Sequence, residues 1–137
     1  MELPLAKLQD EAAQVAFSAN GKFLITSDSL GDSWYSVGDW KLIRCFDRHR
    51  STTGLIAFYP DDKIVALSGP GYSIVLADPY TGQEFATLDT QIPHSPASMT
   101  FSKDSTELAI SGAGDSIIVW DLRKIRRELA SMYLDWH

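Results

Sequence analysis

The sequence lacks the residues on which several classes of function depend. Its single cysteine, Cys45, excludes a disulfide framework and a paired-cysteine metal site. No apolar run approaches the roughly 18 residues of a membrane-spanning helix. Eighteen acidic residues outnumber twelve basic ones and give a formal charge of −6, which argues against binding to nucleic acid or an anionic membrane. The stretch MELPLAKLQDEAAQ is too polar for a secretory signal, so we expect a cytoplasmic protein.

Patterns that carry catalysis or bind cofactors are also missing. His49, His94 and His137 show no metal-ligand spacing with one another or with Cys45. The segment 112–114, GAG, has no third glycine at the spacing of a phosphate-binding loop, and it precedes a strand instead of a helix. No G-x-S-x-G nucleophile motif occurs. The sequence therefore predicts no enzyme activity, no cofactor and no metal.

What the chain does contain is a repeat. Three segments share a short apolar run that ends at a phenylalanine and leads through a polar turn into a second run: VAFSANGKFLITS, IAFYPDDKIVALS and MTFSKDSTELAIS. The phenylalanines, Phe17, Phe58 and Phe101, lie 41 and 43 residues apart. Further runs follow in phase: SWYSVGDWKLIRCF, SIVLADPYTGQEFATL and SIIVWDLRKI. A period of this length indicates a solenoid or propeller.

The runs within each repeat have the composition of strands separated by turns. They are apolar and rich in β-branched residues, and they show no helical period. Asn20-Gly21 suits a tight turn with positive φ, and Pro60-Asp61 suits a type I turn. Asp61 and Asp62 could be imagined as an acid–base pair, but in a polar turn we expect both to be solvated. Four antiparallel strands in about 40 residues predict an all-β fold built from propeller blades.

At this point the repeats resemble those of the WD-repeat β-propeller family. IIVWD, residues 117–121, matches the strand that gives the family its name, and AFSANGK and AFYPDDK match its first hairpin. DPYTGQE matches the turn after the third strand. The resemblance covers residues 8–122 and implies a partial propeller of three four-stranded antiparallel blades, near 8–46, 47–90 and 91–121.

In this family, a buried network of His, Asp, Ser or Thr, and Trp often braces a blade. The resemblance assigns six residues of the second and third repeats to such a structural network: His49, Ser68, His94, Ser111, Asp115 and Trp120. The first repeat keeps Ser27 and Asp32 and has Tyr35 in place of the tryptophan. Such groups stabilise a blade because they satisfy one another's hydrogen bonds.

The tail departs from the repeat, because no fourth strand follows Asp121. Residues 122–137 instead predict a short C-terminal amphipathic helix with an apolar stripe at spacings of three and four: Leu122, Ile125, Leu129, Met132 and Trp136. We expect this helix to pack over the propeller edge, the alternative being a basic helix that binds a partner or a membrane. The tail resembles the ends of bacterial WD-repeat proteins of planctomycete type.

Three blades are fewer than the four to eight of ordinary propellers, and they leave two apolar faces uncovered. Either the chain is part of a larger ring, or two copies form a homodimer with six blades. In the second case LPLAKL near the N-terminus is predicted to supply the outer strand that the other copy's third blade lacks.

The predicted function is a non-enzymatic scaffold for protein–protein interaction. Loops on one rim would bind a protein or peptide partner, and the candidate residues there are His49, Arg50, Tyr72 and Asp115. One alternative is a ligand-binding or enzymatic propeller with a site in its central channel. Another is a truncated fragment without a function of its own.

Overall fold

The computed structural model describes residues 14–28, 31–47, 55–90, 96–112 and 116–132. In these residues the chain forms eleven strands, one turn of 3-10 helix at Pro70–Tyr72 and one α-helix, α1, at Leu122–Ser131. The strands are β1 (Gln14–Phe17), β2 (Phe23–Ser27), β3 (Gly31–Ser36), β4 (Leu42–Asp47), β5 (Ile56–Phe58), β6 (Val65–Ser68), β7 (Ile74–Ala77), β8 (Glu84–Leu88), β9 (Pro96–Phe101), β10 (Glu107–Gly112) and β11 (Ile117–Asp121).

The strands pair into three antiparallel sheets, which we call blades 1, 2 and 3. Blade 1 has the order β1-β2-β3-β4, and blade 2 has the order β5-β6-β7-β8. Blade 3 contains β9, β10 and β11, three strands within the described residues, and β11 runs directly into α1. The predicted all-β partial propeller with a C-terminal helix is confirmed. The segment LPLAKL lies outside the described residues, and the predicted blade limits stay predictions.

The blades stack face to face, and the phenylalanine of each first strand marks the same face in all three. We call this the Phe face. Strand alternation places Phe58 on one face of blade 2 together with Val65, Leu67, Val75 and Ala77, and these pack against Ile25 and Trp34 of blade 1. The Phe face of blade 3 packs in turn on the opposite face of blade 2, which carries Ala57, Ala66 and Leu76. The Phe faces of blades 2 and 3 therefore each cover the blade that precedes them in the chain.

The helix α1 packs into the same apolar cluster as blades 2 and 3. Asp121 caps it, because its carboxylate accepts the backbone N–H of Arg123 at 2.9 Å. Leu122 and Leu129 are buried in the cluster, as the predicted stripe requires. Met132, expected on the same stripe, is 57% exposed, since the helix ends at Ser131 before that side chain can reach the cluster. Trp136 lies outside the described residues.

Candidate protein-interaction site

Three of the six residues predicted to brace the blades fall within the described part of the chain. They are Ser68, Ser111 and Trp120. The other three, His49, His94 and Asp115, lie outside the described residues. The complete network in blades 2 and 3 therefore stays a prediction.

The three described members make local contacts. Ser68 Oγ accepts the backbone N–H of Leu55 at 2.8 Å, which ties the start of blade 2 to its second strand. Ser111 Oγ lies 2.9 Å from Ser98 Oγ on the neighbouring strand. Trp120 is half-buried and packs against the cluster between blades 2 and 3. Ser68 and Ser111 connect strands within their own blades, and Trp120 packs blade 3 against the preceding blade.

Blade 1 contains the two polar residues that the resemblance assigns to it, and they are in contact. Ser27 Oγ donates a hydrogen bond of 2.5 Å to Asp32 Oδ1, and both residues are buried. Tyr35 holds the same strand position in blade 1 as Trp120 holds in blade 3, opposite a leucine of the neighbouring strand in each case. A hydrogen-bonded pair that is fully buried stabilises a blade without being available to a substrate.

Of the predicted rim residues, Tyr72 alone belongs to the described part of the chain. It closes the 3-10 turn between β6 and β7 with a φ of 64° and is half-buried. Its backbone carbonyl accepts a hydrogen bond of 3.1 Å from Thr90 Oγ1. His49, Arg50 and Asp115 lie outside the described residues, so the composition of the rim stays a prediction.

The outermost face at each end of the blade stack is exposed, whereas the equivalent positions of blades inside the stack are covered by a neighbouring blade. At one end, Phe17 of blade 1 is 58% exposed, whereas Phe58 and Phe101 are half-buried under a neighbouring blade. We call this surface the blade 1 outer face; it also carries Val15 and Leu24, at alternate positions of β1 and β2. An apolar face of this kind is typical of a blade that lacks its preceding neighbour.

At the other end the uncovered surface belongs to blade 3. Val119 pairs with Ala109 just as Trp34 and Leu76 pair with their partners in the middle strands of blades 1 and 2. Trp34 and Leu76 are fully buried, but Val119 is 54% exposed. Ile117, two residues earlier on the same strand, is 73% exposed. We call this surface, with Ala109, Ile117 and Val119, the blade 3 outer face. It is the side that a following blade covers elsewhere in the chain.

A buried carboxylate joins the hairpin turns of blades 1 and 2. Asp62 is only 4% exposed, and its two oxygens accept the backbone N–H groups of Ala19 and Asn20, each at 2.7 Å. The expectation of two solvated aspartates is wrong for Asp62. It holds for Asp61, which is exposed and accepts a hydrogen bond from the N–H of Lys63 in its own turn.

The position of Asp62 recurs in the other turns. Gly21, Asp62 and Ser105 each follow the phenylalanine of their blade by four residues, and all have positive φ, at 72°, 61° and 65°. The carbonyl of Ser105 accepts a hydrogen bond of 2.7 Å from the Tyr59 hydroxyl of blade 2. At both internal junctions, therefore, this residue contacts the turn region of the preceding blade. Gly21 has no blade before it in the described structure, and a Cβ built there meets nothing within 4 Å.

Aromatic rings pack at both junctions beside these turns. The rings of Phe23 and Tyr80 meet edge to face at a centroid distance of 5.5 Å between blades 1 and 2. Those of Tyr59 and Phe101 do so at 5.3 Å between blades 2 and 3. Such pairs contribute to stability beyond the apolar area that they bury.

The titration shifts of the described residues belong to exposed turns and to the helix cap. Hydrogen bonds from Ser102 and then Thr106 lower the pKa of Asp104. A hydrogen bond from Arg123 lowers the pKa of Asp121, and the same contact raises the pKa of the guanidinium. These groups serve local structure. The described residues contain no group of three His, Cys, Asp or Glu side chains placed to hold a metal ion.

With the blades and their junctions established, similarity to known proteins can be stated. No protein-family model matches the chain. Transducin beta-like protein 3 from Bos taurus is 29% identical over 83% of this chain, which corresponds to 14% of that protein. The WD-repeat resemblance is confirmed. The chain spans about one seventh of the length of this WD-repeat relative.

Solved structures share the propeller fold at low sequence identity. The β-propeller domain of Cps50 (Swd1) from Myceliophteria thermophila has a TM-score of 0.70 and 13% identity, covering 84% of this chain and 35% of the domain. A chain of the mitotic checkpoint complex has a TM-score of 0.71 and 19% identity, and the match covers 84% of this chain and 37% of that chain. Kuenenia stuttgartiensis hydrazine synthase has a TM-score of 0.70 and 14% identity, and the match covers 90% of this chain and 37% of that chain. In each case the chain matches little more than a third of the solved chain.

None of the helices in the described ranges is long and apolar enough to span a membrane.

Proposed function

We propose that this WD-repeat chain is a non-enzymatic scaffold that binds a protein or peptide partner. The observation that supports this most directly is the exposure of both outer faces at positions that are buried inside the stack. Exposed apolar faces on a rigid sheet mark surfaces for protein contact. A cytoplasmic location belongs to the same proposal, and fractionation of native cells with an antibody would test it.

The scaffold reaches a closed form by self-association. Two copies contribute six blades, which lies within the range of known propellers, whereas three copies would contribute nine. The blade 1 outer face of each copy packs on the blade 3 outer face of the other, so both exposed surfaces are covered by a two-fold arrangement. The burial of Phe58 and Phe101 at the internal junctions supports this pairing.

Solution mass tests the self-association. Sedimentation of the purified chain at micromolar concentrations is expected to give twice the 15.2 kDa chain mass. Phe17→Ser should abolish the dimer, because it removes apolar area from the blade 1 outer face. Met132→Ser, at an equally exposed apolar residue directly after α1, should leave the dimer intact. A folded monomer throughout the concentration range would refute the six-bladed homodimer.

The partner-binding surface is the rim that contains Tyr72, with His49, Arg50 and Asp115 as its further candidates. Affinity capture from the native cell, followed by binding of the purified partner, tests it. Tyr72→Ala should weaken that binding, because an aromatic residue at a turn supplies contact area. Met132→Ala, at an exposed apolar residue directly after α1, is the control. Equal binding by both variants would place the partner elsewhere.

A ligand-binding or enzymatic propeller is the second candidate, since the fold is shared with hydrazine synthase, an enzyme. The first strands of the blades read QVAF, IAF and PASMTF, which offer few polar groups for catalysis. A small-molecule binding screen on the purified chain distinguishes the two candidates. Circular dichroism of the same sample addresses the third alternative, a truncated fragment without a function of its own, because a chain that does not fold cannot act as a scaffold.

A further inference from the structure

We infer that the ring between two copies is closed by the same turn-to-turn junction that joins the blades inside the chain. In this junction, Gly21 of one copy lies against the blade 3 hairpin turn of the other copy, residues 102–107. The inference rests on the proposed self-association and identifies the residues through which it occurs.

The first support is that both internal junctions are built at the same turn position. Asp62 of blade 2 binds the N–H groups of Ala19 and Asn20 in blade 1. The carbonyl of Ser105 in blade 3 binds the Tyr59 hydroxyl of blade 2. In both cases the residue of positive φ in one blade reaches back to the blade before it. Gly21 holds this position in blade 1, and it can make the same kind of contact only if another blade packs in front of blade 1.

The second support is the state of that position in blade 1. Gly21 has a φ of 72°, within about 11° of the φ of Asp62, so both turns have a residue of positive φ at this position. The space in front of Gly21 is open, since a Cβ there meets no atom within 4 Å. Phe17, four residues earlier, is exposed on the same blade. The turn and the face beside it are thus both available to a preceding blade.

The third support is that the blade 3 turn is built like the blade 1 turn that Asp62 binds. In blade 1, Ser18 Oγ donates to Asn20 Oδ1 at 2.8 Å and accepts the N–H of Phe23 at 3.0 Å. In blade 3, Ser102 Oγ donates to Asp104 Oδ1 at 2.6 Å and accepts the N–H of Glu107 at 3.0 Å. The same hydrogen bonds in the same order give both turns one shape.

It follows that the amides at positions 103 and 104 stand where those of Ala19 and Asn20 stand at the junction of blades 1 and 2. The closing junction differs in two residues. Gly21 offers no carboxylate to bind these amides, and Asp104 carries a negative charge where Asn20 is neutral. Both differences weaken the closing junction relative to the internal one.

The test is to rebuild the internal junction between the copies. Gly21→Asp supplies the carboxylate at a φ that aspartate tolerates better than most residues do. Asp104→Asn removes the opposing charge. The double variant is expected to lower the dimer dissociation constant by about tenfold or more, because two charge-assisted hydrogen bonds are gained per junction. Sedimentation across a dilution series measures the change.

Gly71→Asp is the matched control. Gly71 also has a positive φ, 62°, and open space at its Cβ, but it lies in the turn between β6 and β7, at the opposite end of its blade. Its replacement should leave the dissociation constant unchanged. Tighter association in the control as well would mean that an aspartate at any turn glycine of positive φ strengthens the dimer, which would overturn the inference.

The outcomes separate the inference from the proposed function. A wild-type dimer that the double variant does not tighten overturns the junction and leaves self-association standing. A monomer for both proteins overturns both. If the double variant loses the far-UV spectrum of the wild type, the two exchanges are placed on separate chains and mixed. Such a mixture has one rebuilt junction per ring and should favour the mixed dimer over the statistical ratio; a statistical ratio overturns the junction.

Discussion

Replacing Asp62 with glycine tests whether a single carboxylate stabilises the junction between blades 1 and 2. Glycine removes both acceptor oxygens and still adopts the φ of 61° without strain. Two backbone effects of the change oppose each other, because glycine relieves the cost of a left-handed non-glycine residue but loses more conformational entropy on folding. The loss of the two hydrogen bonds to Ala19 and Asn20 therefore dominates the expected change. Water can hydrogen-bond to the freed N–H groups of Ala19 and Asn20, because both residues are exposed. It does not take the place of the carboxylate itself, because position 62 is buried.

The expected loss follows from the contacts. Each hydrogen bond to a charged acceptor contributes about 1.5–3 kcal/mol to stability, and solvation of the freed N–H groups of Ala19 and Asn20 reduces the total toward the lower end. We expect Asp62→Gly to lower the free energy of unfolding by about 2–4 kcal/mol. Asp62→Asn, which keeps one acceptor and loses the charge, should cost roughly half of that, about 1–2 kcal/mol.

Urea unfolding at a fixed protein concentration, followed by tryptophan fluorescence, measures these differences. Asp61→Asn is the control, since Asp61 is exposed and binds within its own turn; we expect less than about 0.5 kcal/mol there. Equal losses for Asp61→Asn and Asp62→Gly would refute the reasoning, as would a loss at Asp62 below about 0.5 kcal/mol. Either result would mean that the contact between turns contributes nothing beyond the apolar stack.

Three further predictions concern other parts of the molecule. Trp34→Ala should cost about 3–5 kcal/mol in urea unfolding, whereas Trp34→Phe should cost under about 1.5 kcal/mol, because the buried indole N–H has no hydrogen-bond partner among the described residues. Leu129→Ala should cost about 2–4 kcal/mol and Met132→Ala less than about 0.5 kcal/mol, since the first is buried and the second exposed. The pKa of Asp104 is lowered from 3.8 mainly by the hydrogen bond from Ser102. The stability that this contact contributes is therefore fully present above the unfolded pKa and is lost as pH falls through the lower folded pKa. Ser102→Ala should move the titration midpoint of Asp104, measured by carboxyl-carbon NMR, back toward 3.8.

The propeller fold could be predicted from the sequence because it repeats. Phe17, Phe58 and Phe101 fix the phase of three units, and the turn between two apolar runs is visible in each. Strand order and the identity of the buried faces then follow from the alternation of side chains along a strand. That no strand follows Asp121 within the described residues could equally be predicted, because a helical period replaces the strand pattern there.

The carboxylate at the junction could not be found from the turn alone. Asp61 and Asp62 are neighbours in sequence, and what separates them is a backbone conformation and a contact with a turn about 43 residues away. One signal does exist: in the alignment of the repeats, Asp62 stands at the position of Gly21, where positive φ was expected. No feature of the sequence indicates that Met132 is exposed, because the apolar period of the helix continues past its end at Ser131.

Because blade 2 is covered on both sides, stability is distributed unevenly along the chain. All residues of β6 and β7 are buried, while β1 and β11 carry exposed apolar residues. In a stack where each unit contacts only its neighbours, the end units open first and the middle unit last. Amide hydrogens of β6 and β7 should therefore be the last to exchange with solvent in a single copy of the chain. Closing a ring removes this gradient, because every blade then has two neighbours.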